Sequence, residues 1–175
     1  TYDVIHDIME KDNQLWVATD GGGINIISLD DFSFTNIQQK QDDVHSFPAN
    51  TIYRLYLDSA NNMWAGSIRR GLIGIRNVFA CSYQNVPFGN LYGLSNQTIN
   101  SFFQDSDGMV WVGTDGGGIN RFDPLTGTFK HYPSTMHEKV VSIVEYTPDE
   151  LLFSSFNEGL FIFHKQTGRV RPFVL

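Results

Sequence analysis

The sequence is poor in cysteine: Cys81 stands alone among 175 residues, so no intramolecular disulfide staples the fold. Its setting, Val78-Phe79-Ala80-Cys81, suits a small buried hydrophobe better than a reactive thiol, and it leaves the redox compartment open. Positive charge is scarce too. Twelve Lys and Arg against 19 Asp and Glu give a formal net charge of -7, and the longest basic cluster is the pair Arg69-Arg70. A phosphate backbone calls for a basic stripe, so nucleic acid is not an expected partner. No apolar run approaches the roughly 20 residues of a membrane span, and no membrane contact by this segment is expected. No basic-then-apolar leader precedes Thr1, and the chain enters a strand pattern without Met. It is therefore expected to be a piece of a longer protein whose targeting signal and any membrane helix lie elsewhere.

Helical patterning is missing as well. No segment of ten or more residues carries an apolar stripe at helical period, and Gly, Asp-Gly and Asn-Asn breaks would interrupt one. The five histidines, His6, His45, His131, His137 and His164, lack metal-ligand spacing, and there is no Gly-x-Ser-x-Gly nucleophile elbow. The reading is of no metal, no cofactor and no catalytic residue in this segment. What the sequence does have is 41% apolar residues, 14% aromatics and 16 Gly, the balance of a turn-rich, all-β chain long enough to bury a core.

Self-similarity organises it. Thr19-Asp20-Gly21-Gly22-Gly23-Ile24-Asn25 recurs residue for residue as Thr114-Asp115-Gly116-Gly117-Gly118-Ile119-Asn120, each after a Trp-Val pair, Trp16-Val17 and Trp111-Val112. A weaker copy runs from Trp64 to Arg70-Gly71-Leu72, and a fourth puts Phe153 in place of Trp, ahead of Gly159. These anchors are 48, 47 and 42 residues apart, the spacing of four-stranded propeller blades. Aligning on them brings Val4, Ile52, Ile99 and Val141 into one column and Glu10, Asp58 and Asp105 into another. The expected fold is all-β: four four-stranded antiparallel blades near residues 3–37, 50–84, 97–133 and 139–174, forming one propeller fragment over 1–175. The longer connections, 38–49 and 85–96, fall between blades, where surface loops carry specificity.

The runs Leu15-Trp16-Val17-Ala18-Thr19 to Gly23-Ile24 and Val110-Trp111-Val112-Gly113-Thr114 to Gly118-Ile119-Asn120-Arg121-Phe122-Asp123 resemble the two component regulator propeller repeat. The resemblance covers essentially the whole chain. It is strong in the first and third blades, moderate in the second and weak in the fourth, where Trp is lost and the loop before Gly159 counts one residue short. It implies a periplasmic sensor region of a hybrid two component system, with a seven-bladed propeller ahead of a membrane helix and a histidine kinase, and an oligosaccharide as signal.

Each motif has a structural reading beside a functional one. Trp16, Trp64, Trp111 and Phe153, with Gly23, Gly71, Gly118 and Gly159, read as blade anchors rather than sugar-stacking or phosphate-cradling residues. Thr-Asp-Gly-Gly-Gly opens a strand and lacks the P-loop Lys. Asp105-Ser106-Asp107-Gly108 begins like a calcium loop, but Gly116 stands where the bidentate Glu belongs. In a blade running outward from the axis, the loop between second and third strands and the loop entering the first strand emerge on one face. That face gathers the candidate ligand contacts Asp20, Arg69, Arg70, Asp115, Asn157, Glu158, Asn96 and His137, with Arg69-Arg70 replacing the Asp-Gly of the first and third blades. The end blades are expected to expose apolar faces that neighbouring blades or a second copy would cover. The leading expectation is a ligand-binding sensor module. A propeller lyase or hydrolase, and a protein-interaction scaffold, are the rival readings.

Overall fold

Apolar and polar residues alternating between Gly, Asp and Asn breaks fold the chain into consecutive antiparallel hairpins. The computed structural model describes residues 4–40, 47–76, 79–83 and 90–174, in four sheets of four strands. The Cys81 side chain, His45, and residues 41–46 and 85–89 of the two long connections lie outside the described residues. The first blade is β1 (Ile5–Lys11), β2 (Gln14–Thr19), β3 (Ile24–Ser28) and β4 (Phe34–Ile37); the second is β5 (Ile52–Leu57), β6 (Met63–Ser67), β7 (Leu72–Arg76) and β8 (Phe79–Tyr83). The third is β9 (Ile99–Gln104), β10 (Val110–Thr114), β11 (Ile119–Asp123) and β12 (Thr128–His131). The fourth is β13 (Val140–Thr147), β14 (Glu150–Ser155), β15 (Gly159–His164) and β16 (Val170–Pro172). A single 3-10 turn, Pro133–Thr135, is the only helical element among the described residues.

The chain divides into two compact units, Thr1–Ser82 and Tyr83–Leu175, each a pair of blades. In the first, Trp16, Ala18 and Ile24 of one blade pack on Ile52, Leu55, Met63, Ala65 and Ile73 of the next. In the second, Trp111, Ile119 and Tyr132 pack on Val140, Ile143, Leu151, Phe153 and Phe163. A lone four-stranded sheet leaves both faces wet, so this face-to-face burial, worth about 1.5–3 kcal/mol per large side chain, is what holds each pair.

The ladder corrects the alignment in the fourth blade. The row Ile143, Phe153, Phe161 faces the third blade, as the row Leu55, Ala65, Ile73 faces the first. Phe153 is therefore the counterpart of Ala65. Leu152, paired with Val144 and Ile162 as Trp64 is paired with Tyr56 and Gly74, occupies the Trp column. Side chains alternate across a strand, so a one-residue slip exchanges the faces, and Phe153 is large because its row fills the core against Trp111. Moving the anchor to Leu152 also removes the apparent deletion, since the turns Ser67 to Gly71 and Ser155 to Gly159 have the same length.

Two columns shift likewise. The residues opposite Thr19, Ser67, Thr114 and Ser155 are Ile5, Ile52, Ile99 and Val140, so Val4 and Val141 each sit one place off. Glu10 does not share the place of Asp58 and Asp105: it pairs with Leu15 inside β1, and Asp12-Asn13, at φ 52 and 58, close the hairpin as a two-residue turn.

Candidate functional site

The β2–β3, β6–β7 and β10–β11 turns share one construction. The backbone N–H of Thr19, Ser67 and Thr114 donates to the carbonyl of Gly23, Gly71 and Gly118 at 3.1, 3.0 and 3.1 Å, and the three hydroxyls donate to the same oxygens at 3.0, 3.2 and 2.9 Å. Two positions take positive φ. Gly23, Gly71 and Gly118 have φ of 68, 71 and 72, and at Gly118 an added Cβ would overlap the Thr135 carbonyl. Gly159, at φ 95, has open space around its Cβ position, so only its backbone conformation favours glycine. Two residues earlier stand Gly21, Arg69, Gly116 and Asn157, with φ of 86, 79, 88 and 70. Asn tolerates this region, whereas Arg holds it at a cost of roughly 1 kcal/mol.

Each turn is tied to the segment that leads into a first strand. Gly23 N–H donates to Asn50 O at 2.6 Å, Ile68 N–H to Thr51 O at 3.4 Å, and Thr51 Oγ1 to Asp20 Oδ1 at 3.1 Å. In the second unit Gly116 and Gly118 donate to Glu138 O at 3.2 and 3.1 Å, and Phe156 N–H donates to Lys139 O at 2.9 Å. Within each unit, then, these two kinds of loop share a face.

The model of the two component regulator propeller family matches residues 46–69 and 93–116. Those two stretches are similar to the two component regulator propeller repeat. No curated protein sequence matches it. Among solved structures it is similar to the extracellular domain assigned to the hybrid two component system BT3049 of B. thetaiotaomicron, with TM-score 0.84 and 24% identity over 99% of this chain and 25% of that one. The extracellular domain assigned to BT4673 of the same organism gives 0.73 and 21%, over 99% and 24%. Virginiamycin B lyase from Staphylococcus aureus gives 0.73 and 16%, over 98% and 56%. These likenesses are of fold, and the chain spans about a quarter of the length of the two extracellular domains.

The propeller repeats distribute the candidate contacts unequally. Asn96 is taken up by the fold: its amide donates to Asp115 O and its oxygen accepts from Thr98 N–H, both at 2.8 Å. Asp115 forms an ion pair with Lys139 at 3.3 Å, and Asp20 holds Thr51. Arg69, Arg70, His137, Asn157 and Glu158 are exposed, and none of their side chains has a hydrogen-bond or ion-pair partner among the described residues. His137 also takes positive φ, 79. No three His, Cys, Asp or Glu side chains among the described residues are grouped to hold a metal, and no helix is long and apolar enough to cross a membrane.

What the sequence reading missed is the support behind Trp. Asp58 Oδ2 accepts from Trp64 Nε1 at 2.9 Å, and Asp105 Oδ2 from Trp111 Nε1 at 2.7 Å. Burial works against the Asp58 carboxylate, but the bonds donated by Trp64, Asn62 and the Ala60 and Asn62 backbone hold it below the usual carboxylate range. Buried Lys165 reaches from the fourth blade to Asp105, at 3.3 Å, and to Glu145. Burial opposes its charge, yet these carboxylates hold it above the ordinary lysine value, and the Lys165 bond draws Glu145 down. The signal was an Asp six residues before Trp in two copies.

Proposed function

We propose that the chain is part of the ligand-sensing propeller of a periplasmic two component receptor and that it recognises an oligosaccharide. The observation that carries this reading is the pair of matched propeller repeats, each ending on the turn whose exposed polar residues share a face with the strand-entering loops. Planar amides, carboxylates and guanidinium groups on rigid turns suit sugar hydroxyls. Binding there acts by differential affinity: a ligand that prefers one arrangement of the receptor shifts its population, which a downstream domain reads.

The same reading includes further blades. The rows that are buried between blades in each unit carry exposed apolar residues at the ends: Ile5 and Ile8 of β1 are 55% and 54% exposed, and Val144, Tyr146 and Leu160 of the fourth blade are 46%, 50% and 44% exposed. A neighbouring blade, or the same face of a second copy, would cover them.

Calorimetry of the chain against a panel of neutral and acidic oligosaccharides tests the sensing role. Saturable binding without turnover of the bound saccharide is the expected result. Cleavage of the saccharide would turn the reading to a propeller lyase or hydrolase, and silence across the panel would remove the saccharide. Sedimentation should show concentration-dependent association; a clean monomer at tens of micromolar would argue against uncovered end faces.

A further inference from the structure

The four turns between second and third strands have one backbone and three chemistries. In the first and third blades the residue after Thr is an Asp with a fixed partner, Asp20 with Thr51 and Asp115 with Lys139, and Gly occupies the positive-φ place behind it. In the second blade the Asp is replaced by Ile68, and the two residues that follow are Arg69 and Arg70. The carboxylate is gone, and Arg69-Arg70 take the places of Gly21-Gly22 and Gly116-Gly117, one residue on from the Asp-Gly pair that the sequence alignment set them against.

Nothing among the described residues accounts for those cations. Both are exposed, and neither guanidinium has a partner among the described residues. The turn itself does not need them: Ser67 and Gly71 close it, Ser67 Oγ accepts the Arg70 backbone N–H at 2.9 Å, and Arg69 sits at φ 79 where glycine serves two sister blades. A strained, non-glycine backbone carrying a planar cation with no partner among the described residues, in a chain of net charge -7, is a departure from the repeat that packing among those residues does not explain.

We propose that the 67–71 turn of the second blade reads an anionic group, a carboxylate or a sulfate ester, on the ligand. This rests on the saccharide reading above and makes it specific: the ligand is an acidic oligosaccharide. A guanidinium meets either oxyanion with two parallel N–H donors, and two adjacent guanidinium groups held by a rigid turn favour a charged sugar over its neutral counterpart. Asp20, whose carboxylate holds Thr51 beside the same turn, supplies an acceptor for a sugar hydroxyl.

The test is calorimetry of the 175-residue chain with trigalacturonate, a sulfated galactotriose and plain galactotriose, at low and at physiological salt. The expected result is preference for at least one acidic probe, weakened by salt. Arg69→Gly and Arg70→Ala should each reduce that binding about tenfold or more, the loss of one charge-assisted hydrogen bond. Arg69→Gly is the cleaner variant, because it restores the residue of the first and third blades and keeps the fold. Arg70→Lys should retain part of the affinity. Which acidic probe binds identifies the oxyanion. Equal binding of neutral and acidic probes, or acidic binding unchanged in both variants, overturns the proposal while leaving a saccharide sensor standing. If no saccharide of the wider panel binds, the sensing reading fails, and this proposal with it.

Discussion

Trp111 and Trp16 hold the same place in their blades and live in different surroundings. Trp111 is 1% exposed, stacks on Tyr132 at 5.8 Å, meets Phe163 edge-on at 5.7 Å, and gives its N–H to Asp105, which Lys165 neutralises. Trp16 is 8% exposed and packs among Met, Ala and Ile side chains, and its buried Nε1 has no hydrogen-bond partner among the described residues. The turn makes the difference. In the third blade Asp105 opens a longer turn and accepts Asp107 and Met109 N–H at 3.1 and 2.9 Å, fixing its carboxylate under the indole. In the first blade the tight Asp12-Asn13 turn leaves no such residue. The apolar face of Trp is thus what the repeat keeps, and the partner of its N–H is an addition that the local turn supplies or omits.

The comparison breaks most easily at the two indoles. Trp111→Ala should cost about 4–5 kcal/mol in its unit, combining a large cavity with a buried Asp105 stripped of its donor. Trp16→Ala should cost nearer 3 kcal/mol, since no hydrogen bond is lost. Urea unfolding of each variant, followed by far-ultraviolet circular dichroism, measures both. Equal losses would mean that the Asp105 bond contributes nothing net.

Lys165→Met probes the cation alone. It leaves the Asp105 carboxylate buried without its counter-charge, at a cost of about 3 kcal/mol, whereas Asp105→Asn with Lys165→Met should recover much of it. A Lys165→Met protein as stable as the parent would show that the bonds from Trp111, Asp107 and Met109 suffice for the carboxylate.

Alkaline pH sharpens the contrast between the units. Burial pushes the Tyr132 phenol up to about 12. Its contribution is fully present below about pH 10, where the phenol of the unfolded chain begins to ionise, and is lost as pH rises toward 12; the loss is on the order of 2 kcal/mol. Lys165, also raised, keeps its contribution below its usual titration range and loses it above. Both belong to the unit Tyr83–Leu175, so that unit should loosen first above pH 10, and Tyr132→Phe should delay it. Glu145 and Asp58 are both lowered, so each stabilises above its usual titration range and loses this as pH falls through it; with one in each unit, acid should not separate them. Hydrogen exchange resolves the two units.

Much of the fold was legible in the sequence because period and turn chemistry are local. The Trp spacing and the repeated Thr-Asp-Gly-Gly-Gly marked the sheets, and Thr, Ser and Gly marked the turns. What escaped was register. Phe153 drew the alignment because it is the aromatic nearest the expected spacing, yet it faces the third blade, and Leu152 keeps the Trp column. Glu10 was misplaced because a turn shortened by one residue leaves the spacing of apolar residues nearly unchanged. In the candidate site, residue types showed where polar groups gather but not which are already engaged: Asn96 looked as available as Asn157, yet in the fold both ends of its amide are bonded.

The smallest expected effect separates two residues in one backbone state. Arg69 and Asn157 occupy equivalent turn positions at φ 79 and 70, and neither side chain makes a bond among the described residues. Asn adopts this region readily because its short polar side chain can bond locally, while Arg has no such compensation. Arg69→Gly should therefore stabilise the unit Thr1–Ser82 by about 0.5–1 kcal/mol, net of the extra freedom glycine gives the unfolded chain, and Asn157→Gly should leave its unit within about 0.3 kcal/mol of the parent. Thermal unfolding of the two variants side by side checks this. A gain at both positions would point to a demand of the turn common to all non-glycine residues. A loss at Arg69 would mean that its side chain already makes a favourable contact in the folded chain, so that the arginine stabilises the turn it was inferred to strain.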